Sequence, residues 1–310
     1  MSAHHETEEG LLRAVLRGDD ERVLPLELFF DLVFVLAITQ CTAVMAHDPT
    51  WAGLGKGLLL LGILWWTWIG YAWLTSVVDP EEGVVRLVII AAMAALLVVS
   101  LCLPHAIGDR GLLFACAIAV VRAMHIALFI LGSREDPELR SSVVGLAIST
   151  AVACGILIAG SVAGSWQVWI WLFALLLDMA GPKFFGVDGW RLVPGHYAER
   201  HGLIVLIALG ESIVEIGAGS RDVVDTGVVV AAIVSVVVTA ELWWLYFDVV
   251  ALVAARRLQN AAPGREQNAI ARDSFTYLHL PMVAGIILVA LGFEETLGDV
   301  SAHLHRIPAV

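Results

Sequence analysis

The stretch LELFFDLVFVLAITQ, residues 26–40, decides the fold. It sits in an apolar run over 24–46, and about 20 apolar residues suffice to cross a bilayer as a helix. Yet the run holds two carboxylates, Glu27 and Asp31. Insertion scales put an Asp at a helix centre at about +2.5 to +3.5 kcal/mol, and each Leu, Ile, Phe or Val at about −0.3 to −0.6. The twelve such apolar residues of the run contribute on the order of −5 kcal/mol, which two central acids would cancel. Both acids lie toward one end, so the cost is smaller. The helix is still marginal alone, and its carboxylates need partners. Their four-residue spacing puts them on one helix face, which insertion cost turns inward.

The rest of the chain repeats the pattern. Its 310 residues are 59% hydrophobic and 15% charged, against about 25% charged in soluble domains. Nine runs qualify as spans: 24–46, 53–76, 84–103, 110–131, 142–162, 166–180, 199–219, 228–252 and 274–292. The expected fold is all-α, a polytopic bundle forming one domain over 24–292. A polar segment precedes it at 1–23, with a short surface helix at 11–22 as one option, and a short tail follows at 293–310. Nine spans place thirteen of the eighteen Lys and Arg on one side, which puts the N-terminus in the cytoplasm. The longest connection, 253–273, reads as polar, basic and cytoplasmic. The bilayer is the expected surrounding, in a bacterial cytoplasmic membrane.

Scattered basic residues exclude a nucleic-acid footprint. The four cysteines lie in apolar runs without a CxxC pair and read as small buried hydrophobes. No P-loop, GxSxG, HExxH or dinucleotide fingerprint occurs in a sensible context. No cofactor is expected.

Charge within the spans is the informative feature. Glu211 and Glu215 share a face in LIALGESIVEIG. Glu241 and Asp248 share one in ELWWLYFD, and Asp178 closes LLLDMAGP. Against seven acids stand Arg122 and His125, three residues apart, with Arg86 and the Glu199–Arg200 pair at cytoplasmic ends. A rise of about 1.5 Å per residue places Glu211, Glu241 and Arg122 near mid-bilayer. Seven acids facing one fixed cation cannot all stay charged in a dry bundle. Some are protonated, hydrated or neutralised by a bound cation, as in a proton or ion path. The candidate proton, ion or ligand site is Glu27, Asp31, Arg122, His125, Asp178, Glu199, Arg200, Glu211, Glu215 and Glu241. The alternative use of such groups is to hydrogen-bond helices together. A metal held by His125, Glu211 and Glu215 is a further option. In the second span, Trp65 and Trp66 read as packing residues more than as cavity lining.

LELFFDLVFVLAITQ also resembles the opening signature of the bacterial low temperature requirement protein A family. Three more stretches agree: the run from Arg86 through LPHAIGDRGLLFACAIAVVRAMHIALF, LLLDMAGP, and HYAERHGLIVLIALGES. They reach across most of 24–219 in the family's order. The resemblance implies a polytopic membrane protein, linked by name to growth at low temperature, and supplies no reaction or substrate. Glu27, Asp31, Arg122, His125, Asp178, Glu199, Arg200 and Glu211 match the family's polar motif residues. Family members commonly continue through further hydrophobic segments, so the resemblance implies a shortened C-terminus here.

The functional expectation is a proton- or cation-linked transporter, or a membrane protein binding a small solute, with an acidic intramembrane cavity. The alternatives are an intramembrane enzyme acting on a lipid or lipid-linked group, and a structural or sensory membrane protein.

Overall fold

A computed structural model describes residues 22–184, 189–219 and 226–298. The possible surface helix at 11–22 and most of the tail after 293 lie outside them. The described residues contain no β-strand and form nine helical rods. These are α1 (Pro25–His47), α2 (Trp51–Leu74), α3 (Gly83–His105), α4 (Gly111–Gly132), α5 (Pro137–Gly160), α6 (Gln167–Phe184), α7 (Pro194–Gly219), α8 (Thr226–Gln259) and α9 (Arg265–Thr296). All but α6 and α7 are long and apolar enough to cross a membrane. Those two lie where spans were expected and carry many of the polar side chains: Asp178 on α6, and His196, Arg200, Glu211 and Glu215 on α7.

Local chemistry starts the helices. Pro25 occupies the first turn of α1, where its missing N–H is harmless, and the Glu27 carboxylate accepts the Leu24 N–H at 2.9 Å. Thr50 accepts the Gly53 N–H at 3.1 Å to open α2. Asp136 accepts the N–H groups of Glu138 and Leu139, both at 3.1 Å, ahead of α5, which satisfies donors a helix start leaves free.

α2 is the hub. Every residue from Leu59 to Leu74 is buried, and the rod touches α1, α4, α6, α7 and α9. α5 and α6 pack closely: Trp171 Nε1 donates to Leu157 O at 2.8 Å, and a Cβ at Gly160 would stand 2.7 Å from Ile170 Cγ2. Small residues let backbones approach this way. α8 is the least enclosed rod, with only Ser235 and Thr239 buried over Thr226–Leu245.

Several boundaries differ from expectation, among them the start of α5, at Pro137 instead of 142. α7 begins at Pro194 instead of 199, which draws HYAERH into the helix. The supposed connection 253–273 is mostly helical, since α8 runs to Gln259 and α9 starts at Arg265. Side chains hold the polar ends: Asn268 Nδ2 donates to Trp190 O at 2.9 Å and Gln267 Nε2 to Leu258 O at 3.3 Å. Two wide, π-type turns interrupt these long rods, at Tyr246–Ala251 and Ala271–Tyr277. Among the described residues all four cysteines are unpaired.

Gly160→Val should lower the melting temperature of the detergent-purified protein, with about 1–3 kcal/mol of overpacking strain. An unchanged melting temperature would show that α5 and α6 are not in tight contact there.

Candidate functional site

The first polar centre joins α1, α2 and α7. Glu27 and Asp31 are each 1% exposed, and His196 and Arg200 are fully enclosed. Arg200 forms an ion pair with Asp31 through Nη2 and reaches Glu27 at 3.5 Å through Nη1, which also donates to Thr75 Oγ1 at 2.9 Å. His196 Nε2 lies 2.8 Å from Glu27 Oε1. Trp68 Nε1 donates to Asp31 Oδ1 at 2.8 Å, and its ring lies under the Arg200 guanidinium at 5.5 Å. The expectation of a single buried cation is therefore corrected. Starting α7 five residues early carries His196 into the helix, and both it and Arg200 are enclosed facing the α1 acids.

The second centre joins α2, α4, α5 and α6. Arg122 Nη2 pairs with Asp178 Oδ2 at 2.9 Å and donates to Thr150 Oγ1 at 2.8 Å. Nη1 makes one long bond, 3.4 Å, to Trp66 O. A cavity of about 60 Å³ opens beside this pair. About 10–15 Å³ holds one water, so the space admits several. Trp66, Trp73, Phe129 and Trp190 supply aromatic walls. Arg122, His125, Ser142, Arg272 and Thr276 supply its polar groups, with no carboxylate among the lining residues. A second cavity of about 20 Å³ lies on the Asp178 side of Arg122. His125 is 1% exposed, and neither ring nitrogen makes a hydrogen bond. It shares the cavity floor with Gly70, where a Cβ would stand 3.0 Å from both His125 Nε2 and Arg122 Nη1.

A third group sits between α1, α7 and α9. Thr39 Oγ1 donates to Glu211 Oε2 at 2.8 Å, and the Glu215 carboxyl lies against Glu211 and Glu294. The remaining candidates stay apart. Glu241 and Asp248 are exposed on α8, because their shared face turns away from the bundle. Glu199 is exposed as well and accepts the Val23 N–H at 3.2 Å. The buried acids thus occupy three separate centres instead of one acidic cavity, and two of those centres are ion-paired. Among the described residues no three His, Cys, Asp or Glu side chains are grouped to hold a metal ion, so the set His125, Glu211 and Glu215 is not assembled.

Several participants escaped the sequence reading. His196 sits four residues before Arg200, so the shared face was visible in HYAERH once that stretch is taken as helix. Thr276 lies in the wide turn of α9. Its carbonyl accepts Trp65 Nε1 at 2.9 Å, its hydroxyl accepts Trp73 Nε1 at 3.1 Å, and Tyr197 Oη lies 2.9 Å from that hydroxyl. Wide turns of this kind free backbone groups and occur often at functional sites. Trp65 is thus a packing residue, as expected, while Trp66 lines the cavity. His201 and His279 stand ring to ring at 5.1 Å, and Tyr246 Oη lies 2.9 Å from His279 Nε2. No local pattern in the sequence brings these three together.

The family model described as bacterial low temperature requirement A protein (LtrA) matches residues 22–310. An uncharacterized protein of Rhizobium meliloti (strain 1021) is 31% identical over 287 residues, covering 87% of this chain and 68% of that protein. No solved structure matches. With its apolar helices and buried polar centres, the chain is an integral membrane protein, and it belongs to the bacterial low temperature requirement A family.

Proposed function

We propose that this protein is a multi-pass carrier of the bacterial cytoplasmic membrane, binding a small solute in the aromatic cavity beside Arg122 and linking its passage to protons. In this reading all nine rods cross the membrane, with the N-terminus cytoplasmic. One observation carries it: a cavity inside the bundle ends on Arg122, the cation of a buried ion pair, beside the enclosed ring of His125. Such groups are costly in a membrane interior and mark solute and proton pathways. A bound solute would give them partners. Arg122 and Asp178 would be the switching pair, with His125 passing protons between solute and pair. Glu211 and Glu215 would offer a second protonation site toward the opposite end.

The cavity mouth supports access from one side. Arg272, Pro182 and Trp190 belong to the end of the bundle where Arg191 pairs with Asp136 and Lys183 lies over the Tyr277 ring. That is the basic side, which the distribution of Lys and Arg assigns to the cytoplasm.

Reconstituted in liposomes with a pH dye and a panel of small solutes and cations, Asp178→Asn should reduce flux at least tenfold. Glu241→Gln should stay within twofold of the parent. Equal fluxes for Asp178→Asn and the parent would contradict the reading.

The centre at Arg200 has a different role, that of holding α1, α2 and α7 in register. Removing one partner of a buried pair costs about 3–5 kcal/mol, whereas replacing both by apolar groups is often close to neutral. Arg200→Leu should therefore markedly lower the melting temperature, and combining it with Asp31→Leu and Glu27→Leu should recover much of the loss. Failure of the triple variant to recover would give this centre a part in function beyond packing.

A further inference from the structure

We propose that the cavity ligand is a small monovalent carboxylate with a short apolar body. This rests on the carrier reading above and names the chemistry of the same site. The polar groups at the cavity are two arginines, a histidine and two hydroxyls, and among the described residues no carboxylate lines it. A cation would meet hydroxyl oxygens and ring faces but also the repulsion of two guanidinium groups, whereas an anion meets those groups as partners.

Arg122 is built for it. Its guanidinium carries five N–H donors and makes three hydrogen bonds: two from Nη2, directed at Asp178 and Thr150, and the long one from Nη1. The Nη1 edge faces the cavity floor beside Gly70 and His125, so donors remain on the cavity side while Asp178 stays on the other. His125 stands beside this edge with both ring nitrogens enclosed against the Gly70 backbone, so it shapes the floor and leaves the donating to Arg122. A carboxylate seated there would accept from the Nη1 edge.

The same inventory sets charge and size. Arg122 shares its charge with Asp178, and Arg272 shares its own with Asp273 at 2.7 Å. Little positive charge is left over, and four aromatic rings line the rest. A second negative charge, as on phosphate, would be desolvated without compensation. The volume of about 60 Å³ is less than half of the roughly 150 Å³ that admits benzene in an engineered apolar cavity. An acid of two to four carbons suits it. The aromatic walls suit the alkyl part.

A carboxylate of this kind comes free in solution or at the head of a fatty acid, and the test separates the two. The full chain is placed in nanodiscs and its tryptophan fluorescence, to which Trp66, Trp73 and Trp190 contribute from the cavity, is titrated at constant ionic strength. The probes are acetate, propionate and butyrate, then decanoate, phosphate and propylammonium. Propionate or butyrate should saturate the signal, while phosphate and propylammonium should not. Arg272→Gln and Gly70→Ala should each weaken binding at least tenfold, the second by filling the floor against Arg122 Nη1 without removing any charge. Saturation by decanoate alone would assign the carboxylate to a lipid and keep the site. Saturation by propylammonium as well as propionate would overturn the anion inference and leave the carrier reading standing. No saturation by any probe, or binding indifferent to both substitutions, would overturn the inference. If Gly70→Ala also leaves every liposome flux unchanged, the carrier reading falls with it.

Discussion

Two carboxylates buried on the first helix must meet positive charge, and Arg200 is what meets them. Leaving either carboxylate charged and unpaired inside the bundle costs about 3–5 kcal/mol, a large share of the stability of a folded protein. Satisfying Glu27 and Asp31 brings α7 against α1, and the shared partners Thr75 and Trp68 bring in α2. With α2 held on that side, its opposite face is left for α4, α5 and α6 and for the aromatic cavity between them. The indoles of Trp65 and Trp73 then reach Thr276, which ties the start of α9 to the same hub.

The two arginine centres differ in what surrounds them. Around Arg200, two carboxylates and a histidine are enclosed with a threonine and an indole, with Asp31 Oδ2 and Arg200 Nε left without a hydrogen-bond partner among the described residues. Around Arg122 the pairing is lopsided. One edge of the guanidinium is committed to Asp178, and the other makes one long bond and borders the cavity. An enclosed ion-paired network fixes a structure, whereas donors left beside a cavity can take a visitor. That contrast separates the residues that hold the bundle from those proposed to act in it.

Much of this architecture is legible in the sequence. Apolar runs locate every rod, because twenty apolar residues in a row have few other uses. Helix ends are less legible: the expected span opens at 199, and only the partners on α1 explain why His196 is helical and enclosed. The candidate site is legible as a list and not as a map. Glu27, Asp31, Arg122, Asp178, Arg200, Glu211 and Glu215 are all buried, yet depth along a helix says nothing about which way a face turns. Glu241 lies at the right depth and points outward. Arg272 and Trp190 were invisible as cavity residues because they reach it from segments more than sixty residues from Arg122. The net acid in the sequence suggested an acidic cavity, whereas pairing consumes the acid elsewhere and leaves the cavity with donors.

The central claim is that the space between Arg122, His125 and Arg272 seats a ligand. The most direct test is an experimental density map of the full chain in nanodiscs, with and without saturating butyrate. The account predicts new density against Arg122 Nη1 and His125, bounded by Trp66 and Trp73, with the Arg200 centre unchanged. A cavity that stays empty, with new density beside Glu211 and Glu215 instead, would contradict it.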